Sequence, residues 1–237
     1  MKSFIVALDL TSGAEALAMV DRLGEQANYH KVGSQLFTRE GPGLVSELKD
    51  RGRKVFLDLK YHDIPNTAAR AVEAAAELGV DMLTLHAAGG TAMMAAARDA
   101  VGDDGPLLVG VTLLTSFNAA DVEDVWDKEI RSIREEVGRL AGLAADAGLD
   151  GVVASALEVE ALKRKHGSEF IVVTPGIRLE GEPVADQART ATPAEAIRAG
   201  ADYLVVGRSV YAAADPTAAF KRLLADVGPD GEVEAAP

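Results

Sequence analysis

The chain of 237 residues contains no cysteine. That removes disulfides, a thiol nucleophile and thiolate-bound metal from consideration, and leaves the redox compartment open. Its four histidines, at 30, 62, 86 and 166, never fall into a His-x-x-x-His spacing, which argues against a structural zinc site. Basic residues are outnumbered, 24 Lys and Arg against 37 Asp and Glu for a net charge of −13. With no basic run and no basic–aromatic cluster, no nucleic-acid partner is expected. No apolar stretch approaches the roughly 18 residues of a membrane span, and the apolar run at Phe4 to Leu8 is too short for a signal peptide. No membrane partner is therefore expected, and the expected compartment is the cytoplasm. An anionic small molecule fits the overall charge only where a few Lys and Arg converge locally.

What is present is a composition 48% hydrophobic, enough for one domain with a sizeable core. Short apolar runs suited to buried strands recur at Phe4 to Leu8, Tyr29 to Gly33, Lys54 to Leu59, Asp81 to His86, Leu107 to Leu114, Gly151 to Ala154, Phe170 to Thr174 and Tyr203 to Val206. Helix signals separate them: a Thr11 or Ser12 cap for a helix reaching Gly24, then Pro42 to Arg51, Pro65 to Leu78 and Thr91 to Ala100. Next come Ala119 to Ala147 in two segments, Glu158 to His166, Pro193 to Ala199 and Pro216 to Leu224. Eight strand–helix alternations predict an α/β fold, a single-domain (β/α)8 TIM barrel over residues 1–227, with an acidic disordered tail at 228–237. The runner-up, an open doubly wound sheet, lacks a Gly-x-Gly-x-x-Gly after its first strand. No repeat beyond the βα unit itself is visible.

Charged residues gather where the proposed strands end. Asp9, Lys31, Asp58, Lys60, Arg178 and Arg208 come from strands one, two, three, seven and eight, and a barrel brings such ends to one face. Taken singly, Asp9 could cap a helix, Lys31 could snorkel, and Asp63 could complement a helix dipole. Alternation along a strand places Asp58 and Lys60 on one side. A lysine flanked by carboxylates keeps its proton, so Lys60 could act as a general acid and stabilise a developing carbanion; a plain buried salt bridge is the structural alternative. Gly207-Arg208-Ser209 suits phosphate, because barrels place phosphate after strands seven and eight, where glycine allows close approach and arginine supplies a forked donor. The loop from Leu179 to Thr190 is long enough for a lid carrying Gln187. His62 is expected to pack away from the acids, His86 could line the pocket, and Trp126 is read as core or interface.

The stretch Asp58-Leu59-Lys60-Tyr61-His62-Asp63-Ile64-Pro65-Asn66-Thr67 closely resembles the signature of the bacterial orotidine 5′-phosphate decarboxylases. The likeness extends through Ala7-Leu8-Asp9, Lys31-Val32-Gly33, Val111 to Ser116, Thr174 to Arg178, Gln187 and Val206-Gly207-Arg208. Sugar-phosphate relatives of the superfamily share Asp-x-Lys-x-x-Asp but usually continue with Ala-Gly. The resemblance implies cofactor-free, metal-free decarboxylation of orotidine 5′-phosphate to UMP, the last step of pyrimidine synthesis. It implies Lys60 as proton donor in a charge array with Lys31 and Asp58, completed by Asp63 from the second subunit of a homodimer. Asp9 and Lys31 would hold the ribose together with the partner's Thr67, while Thr115 and Pro175 would line the substrate pocket. Arg178, Gln187, Gly207 and Arg208 would bind phosphate. The competing reading is a metal-dependent sugar-phosphate decarboxylase or aldolase of the same superfamily; a phosphate-ligand sensor on a retired barrel would predict gaps in the charge set, and none is visible.

Overall fold

The computed structural model describes residues 3–127, 129–182 and 189–228. Eight parallel strands close in sequence order: β1 (Ser3–Ala7), β2 (Tyr29–Gly33), β3 (Lys54–Tyr61), β4 (Met82–His86), β5 (Leu107–Val111), β6 (Gly151–Val153), β7 (Ile171–Thr174) and β8 (Tyr203–Val206), with β8 pairing back to β1. The helices are α1 (Gly13–Leu23), α2 (Ser34–Glu40), α3 (Pro42–Asp50), α4 (Pro65–Ala76), α5 (Gly90–Val101), α6 (Ala119–Trp126), α7 (Ile133–Asp146), α8 (Ala156–His166), α9 (Pro193–Ala199), α10 (Arg208–Tyr211) and α11 (Pro216–Asp226). This is the (β/α)8 barrel expected from the alternation. Two helices were not anticipated: α2 directly after β2, and the single-turn α10 after β8. Ser12, not Thr11, caps α1, its hydroxyl accepting from Glu15 N. Among the described residues no helix is long and apolar enough to cross a membrane.

Two apolar layers follow from strand alternation. Side chains facing outward pack with the helices in one continuous core. Inward-facing Ile5, Ala7, Tyr29, Phe56, Met82, Val109, Val173 and Val205 fill the barrel, so its interior is a packed core with no open channel. The strands are apolar on both faces because both faces are covered.

The N-terminal end of the barrel carries a repeat longer than the βα unit. Gly79-Val80-Asp81, Gly148-Leu149-Asp150 and Gly200-Ala201-Asp202 precede β4, β6 and β8. Each glycine has a positive φ, 72°, 75° and 102°, which turns the chain from helix to strand at little cost. Each aspartate Oδ2 then accepts, at 2.7 Å, the backbone N–H of the preceding odd-numbered strand: Val55, Leu108 and Val172. Each also pairs with a base on the helix before that strand, Lys49, Arg98 and Lys163. The aspartate carbonyls accept from Leu107, Ile171 and Ser3, the first residues of the next odd-numbered strands. One residue thus ties three successive strands, at the end of the barrel opposite the C-terminal ends of the strands.

Asp150→Ala should cost about 2–4 kcal/mol in urea unfolding, since it strips a partner from a strand N–H and from a largely buried arginine. KM should stay unchanged. A second expectation concerns the fully buried His30 of β2. Burial, with the Arg53 guanidinium adding to it, pushes its pKa down to about 4. The unfolded imidazole gains its proton near pH 6.5, so stability is lost as the pH falls from about 6.5 towards about 4. That amounts to about 2 kcal/mol between pH 7 and pH 5. His30→Leu should flatten this part of the stability–pH curve, measured by urea unfolding at the two pH values.

Candidate active site

At the C-terminal ends of the strands lies a cavity of about 440 Å³. Its floor is the top of the inner core: Ala7, Phe56, Val153, Val173 and Val205. Asp9, Lys31, Asp58, Lys60, Thr115, Pro175, Arg178, Gly207 and Arg208 all line it, which gathers nine of the twelve residues predicted for the site. Gln35, Ser209 and Tyr211 line it as well. Gln35 and Tyr211 sit on α2 and α10, the two helices that the sequence pattern did not reveal.

The charges form a series of alternating sign. Lys31 Nζ lies 3.0 Å from Asp9 Oδ1 and 3.5 Å from Asp58 Oδ2, and Lys60 Nζ lies 2.8 Å from Asp58 Oδ1. The reading of Asp9 as a helix cap gives way, because Ser12 caps α1 and Asp9 pairs with Lys31. Burial works against charge on Lys31, but the carboxylates of Asp58 and Asp9 outweigh it and raise its pKa. Burial likewise opposes the Asp58 carboxylate. Lys31 and Lys60, with hydrogen bonds from Lys60 and Thr84, outweigh it in turn and hold Asp58 below the usual carboxylate range. All of this needs room for Lys31 to fold over: a Cβ on Gly33 would stand 3.1 Å from Lys31 Nζ and 3.4 Å from Asp9 Oδ1.

Asp58 and Lys60 do converge, but not by regular alternation. The β3–β4 register shifts between the pairs Leu57↔Leu83 and Tyr61↔Leu85, so residues 58–60 stand opposite Thr84 alone. Lys60 takes a left-handed backbone, φ 53°. Such a conformation costs a non-glycine residue about 1–3 kcal/mol and is kept only where its surroundings over-determine it. Bulges of this kind re-aim side chains near active sites. Thr84 was not foreseen; its one signal was a polar residue within the apolar run Met82-Leu83-Thr84-Leu85.

At the opposite side of the cavity, Arg178 follows β7 and Arg208 opens α10 behind Gly207. Arg178 N donates to Ala191 O at 3.0 Å and Ala191 N to Gly176 O at 3.2 Å, which pins the base of the β7–α9 loop. Glu182 from that loop accepts a hydrogen bond from the Ser209 hydroxyl beside the arginines. Gln187 lies outside the described residues, as does the tail beyond Gly228.

Asp63 and Thr67 do not reach the cavity of their own chain. The Asp63 carboxylate accepts from Ile64 N at 2.7 Å, and residues 62–67 are all exposed, Ile64 at 68%. His86 does not line the cavity either: its Nδ1 accepts from Ala88 N at 3.3 Å and its ring stacks on His62 with centroids 5.3 Å apart. Trp126 is half-buried against the core. Among the described residues no group of three or more His, Asp or Glu is arranged to hold a metal ion.

A fixed ammonium, a buried carboxylate beside it and two arginines across an apolar floor define a (β/α)8 barrel enzyme for an anionic substrate. Residues 2–223 match the orotidine 5′-phosphate decarboxylase / HUMPS family. The orotidine 5′-phosphate decarboxylase of Vibrio campbellii is 51% identical over 222 residues, 92% of this chain and 94% of that protein. That of Sodalis glossinidius is 49% identical, over 96% of this chain and 90% of that one. The crystal structure of orotidine 5′-phosphate decarboxylase from Lactobacillus acidophilus superposes with a TM-score of 0.85 at 35% identity, covering 96% of this chain and all of that one. The chain belongs to the orotidine 5′-phosphate decarboxylase / HUMPS family.

Proposed function

We propose that this cavity decarboxylates orotidine 5′-phosphate to UMP, the last step of pyrimidine synthesis, with Lys60 as the proton donor. The observation that carries the reading is the Lys60 ammonium held 2.8 Å from the buried Asp58 within an otherwise apolar-floored pocket. The bond from C6 of the pyrimidine to its carboxylate breaks heterolytically, CO2 departs, and the electron pair stays on C6. A fixed ammonium gains attraction as that charge develops, so it favours the transition state over the ground state. Lys60 then gives its proton to C6, and solvent returns one to the amine.

The phosphate end anchors the substrate. Arg178 and Arg208 supply charged donors, Gly207 gives close backbone approach, and Gln187 joins them in this reading. Asp9 and Lys31 take the ribose, and Thr115 and Pro175 line the wall of the substrate pocket. Binding energy collected there orients the base over Lys60.

The reading includes a homodimer with shared sites. Asp63 and Thr67 do not line their own cavity and lie on an exposed stretch that carries Ile64, a large apolar side chain left in solvent. A second copy covering that stretch would receive Asp63 beside its Lys60 and Thr67 beside its ribose site.

Wild-type protein should consume orotidine 5′-phosphate in an ultraviolet assay with EDTA present; no activity on orotidine 5′-phosphate would sink this reading and leave the metal-dependent sugar-phosphate alternative. Lys60→Ala should lower turnover by at least about 10³-fold while UMP still binds; near-normal turnover would refute the proton-donor role. Mixing Lys60→Ala with Asp63→Ala subunits should restore about one quarter of wild-type activity at equal amounts, because half the dimers are hybrids with one intact site. No recovery despite subunit exchange followed by mass spectrometry would count against shared sites.

A further inference from the structure

The bulge in β3 leaves a backbone problem that one side chain solves. Where three residues of β3 face one of β4, the ladder offers Lys60 N–H no carbonyl of its own. Instead it donates to Thr84 Oγ1 at 2.8 Å. The same hydroxyl donates its hydrogen to Asp58 Oδ1 at 3.1 Å, and Asp58 Oδ1 also accepts from Lys60 Nζ at 2.8 Å. Lys60 is therefore gripped at both ends, backbone and ammonium, through one hydroxyl and one carboxylate oxygen. Thr84 is fully buried on a β4 that is otherwise apolar from Met82 to Leu85, and its Oγ1 is engaged as donor and acceptor at once.

A buried hydroxyl without such partners would be a net cost, and a left-handed lysine without an over-determining contact would relax. We infer that Thr84 is a positioning residue for the reaction: its hydroxyl holds Lys60 in the left-handed backbone and fixes the Asp58 oxygen against which the Lys60 ammonium is aimed. Thr84 does not line the cavity, so it acts through Lys60 and Asp58 and touches no substrate. The inference rests on the decarboxylase reading for its kinetic consequence, but its structural consequence stands apart from it.

The informative comparison is Thr84→Ser against Thr84→Ala. Both lose the methyl group, and only Thr84→Ala also loses the hydroxyl. In Thr84→Ala, kcat should fall by about 10²-fold, the scale of a reacting group displaced by an ångström, with KM for orotidine 5′-phosphate and affinity for UMP changed by less than about threefold. Thr84→Ser should return kcat to within about fivefold of wild type. A crystal structure of Thr84→Ala should show Lys60 out of its left-handed φ and its Nζ withdrawn from Asp58. Equal kcat values for the Ser and Ala variants would overturn the inference, as would an Ala variant whose Lys60 backbone and Asp58 contact are unchanged. Were wild type itself inactive on orotidine 5′-phosphate, the functional reading would fall, and the crystallographic comparison would still decide the role of Thr84.

Discussion

The ion pair between Lys60 and Asp58 is the contact around which the upper half of the barrel is arranged. A buried carboxylate is expensive unless opposite charge and hydrogen bonds surround it. Asp58 receives Lys31 from β2, Lys60 from its own strand and a hydroxyl from β4, so three adjacent strands must close at the right register before the acid is tolerable. Lys31 in turn needs Asp9, just beyond β1, on its other side, and the absence of a side chain at Gly33 to lie where it does. The series ends with equal numbers of acids and bases. Its internal charges are satisfied, while the Lys60 ammonium remains directed into a cavity with an apolar floor, where a charge forming on a ligand would be poorly served by anything else.

Much of this was legible in the chain. Apolar runs separated by capped helical segments implied eight strands in order, and a barrel closed in that order turns distant strand ends into neighbours. That one topological step is why Asp9, Lys31, Asp58, Lys60, Arg178 and Arg208, scattered over 200 residues, line one cavity. Asp63 and Thr67 stand apart, because neither lines the cavity of its own chain. The signature stretch placed them near Lys60 in sequence, yet the strand-to-helix turn at Ile64-Pro65 carries them to exposed positions.

What the sequence concealed shares a physical cause: it depends on departures from ideal periodicity. Alternation put Asp58 and Lys60 on one side and reached the right contact by the wrong route, since a bulge and a left-handed lysine make the meeting. A lysine carries no sequence mark of positive φ, and Thr84 matters only because the bulge leaves it alone opposite three residues. The short helices α2 and α10 start from glycine with no side-chain cap and no proline, unlike α9, as short as α2 but with its Thr192 cap and Pro193, so the cavity residues Gln35 and Tyr211 went unseen. The Gly-x-Asp triplets were hidden by their spacing, one per pair of strands.

Those triplets have a consequence for how the barrel is joined to itself. The carbonyl of Asp202 receives Ser3 N just as the carbonyls of Asp81 and Asp150 receive Leu107 and Ile171. The seam between β8 and β1 is therefore fastened like the seams between β4 and β5 and between β6 and β7. In mechanical terms the ring has no privileged opening. Circular permutation at a loop on this lower end moves the break from one equivalent joint to another, while the strand ends that hold the charges keep their neighbours.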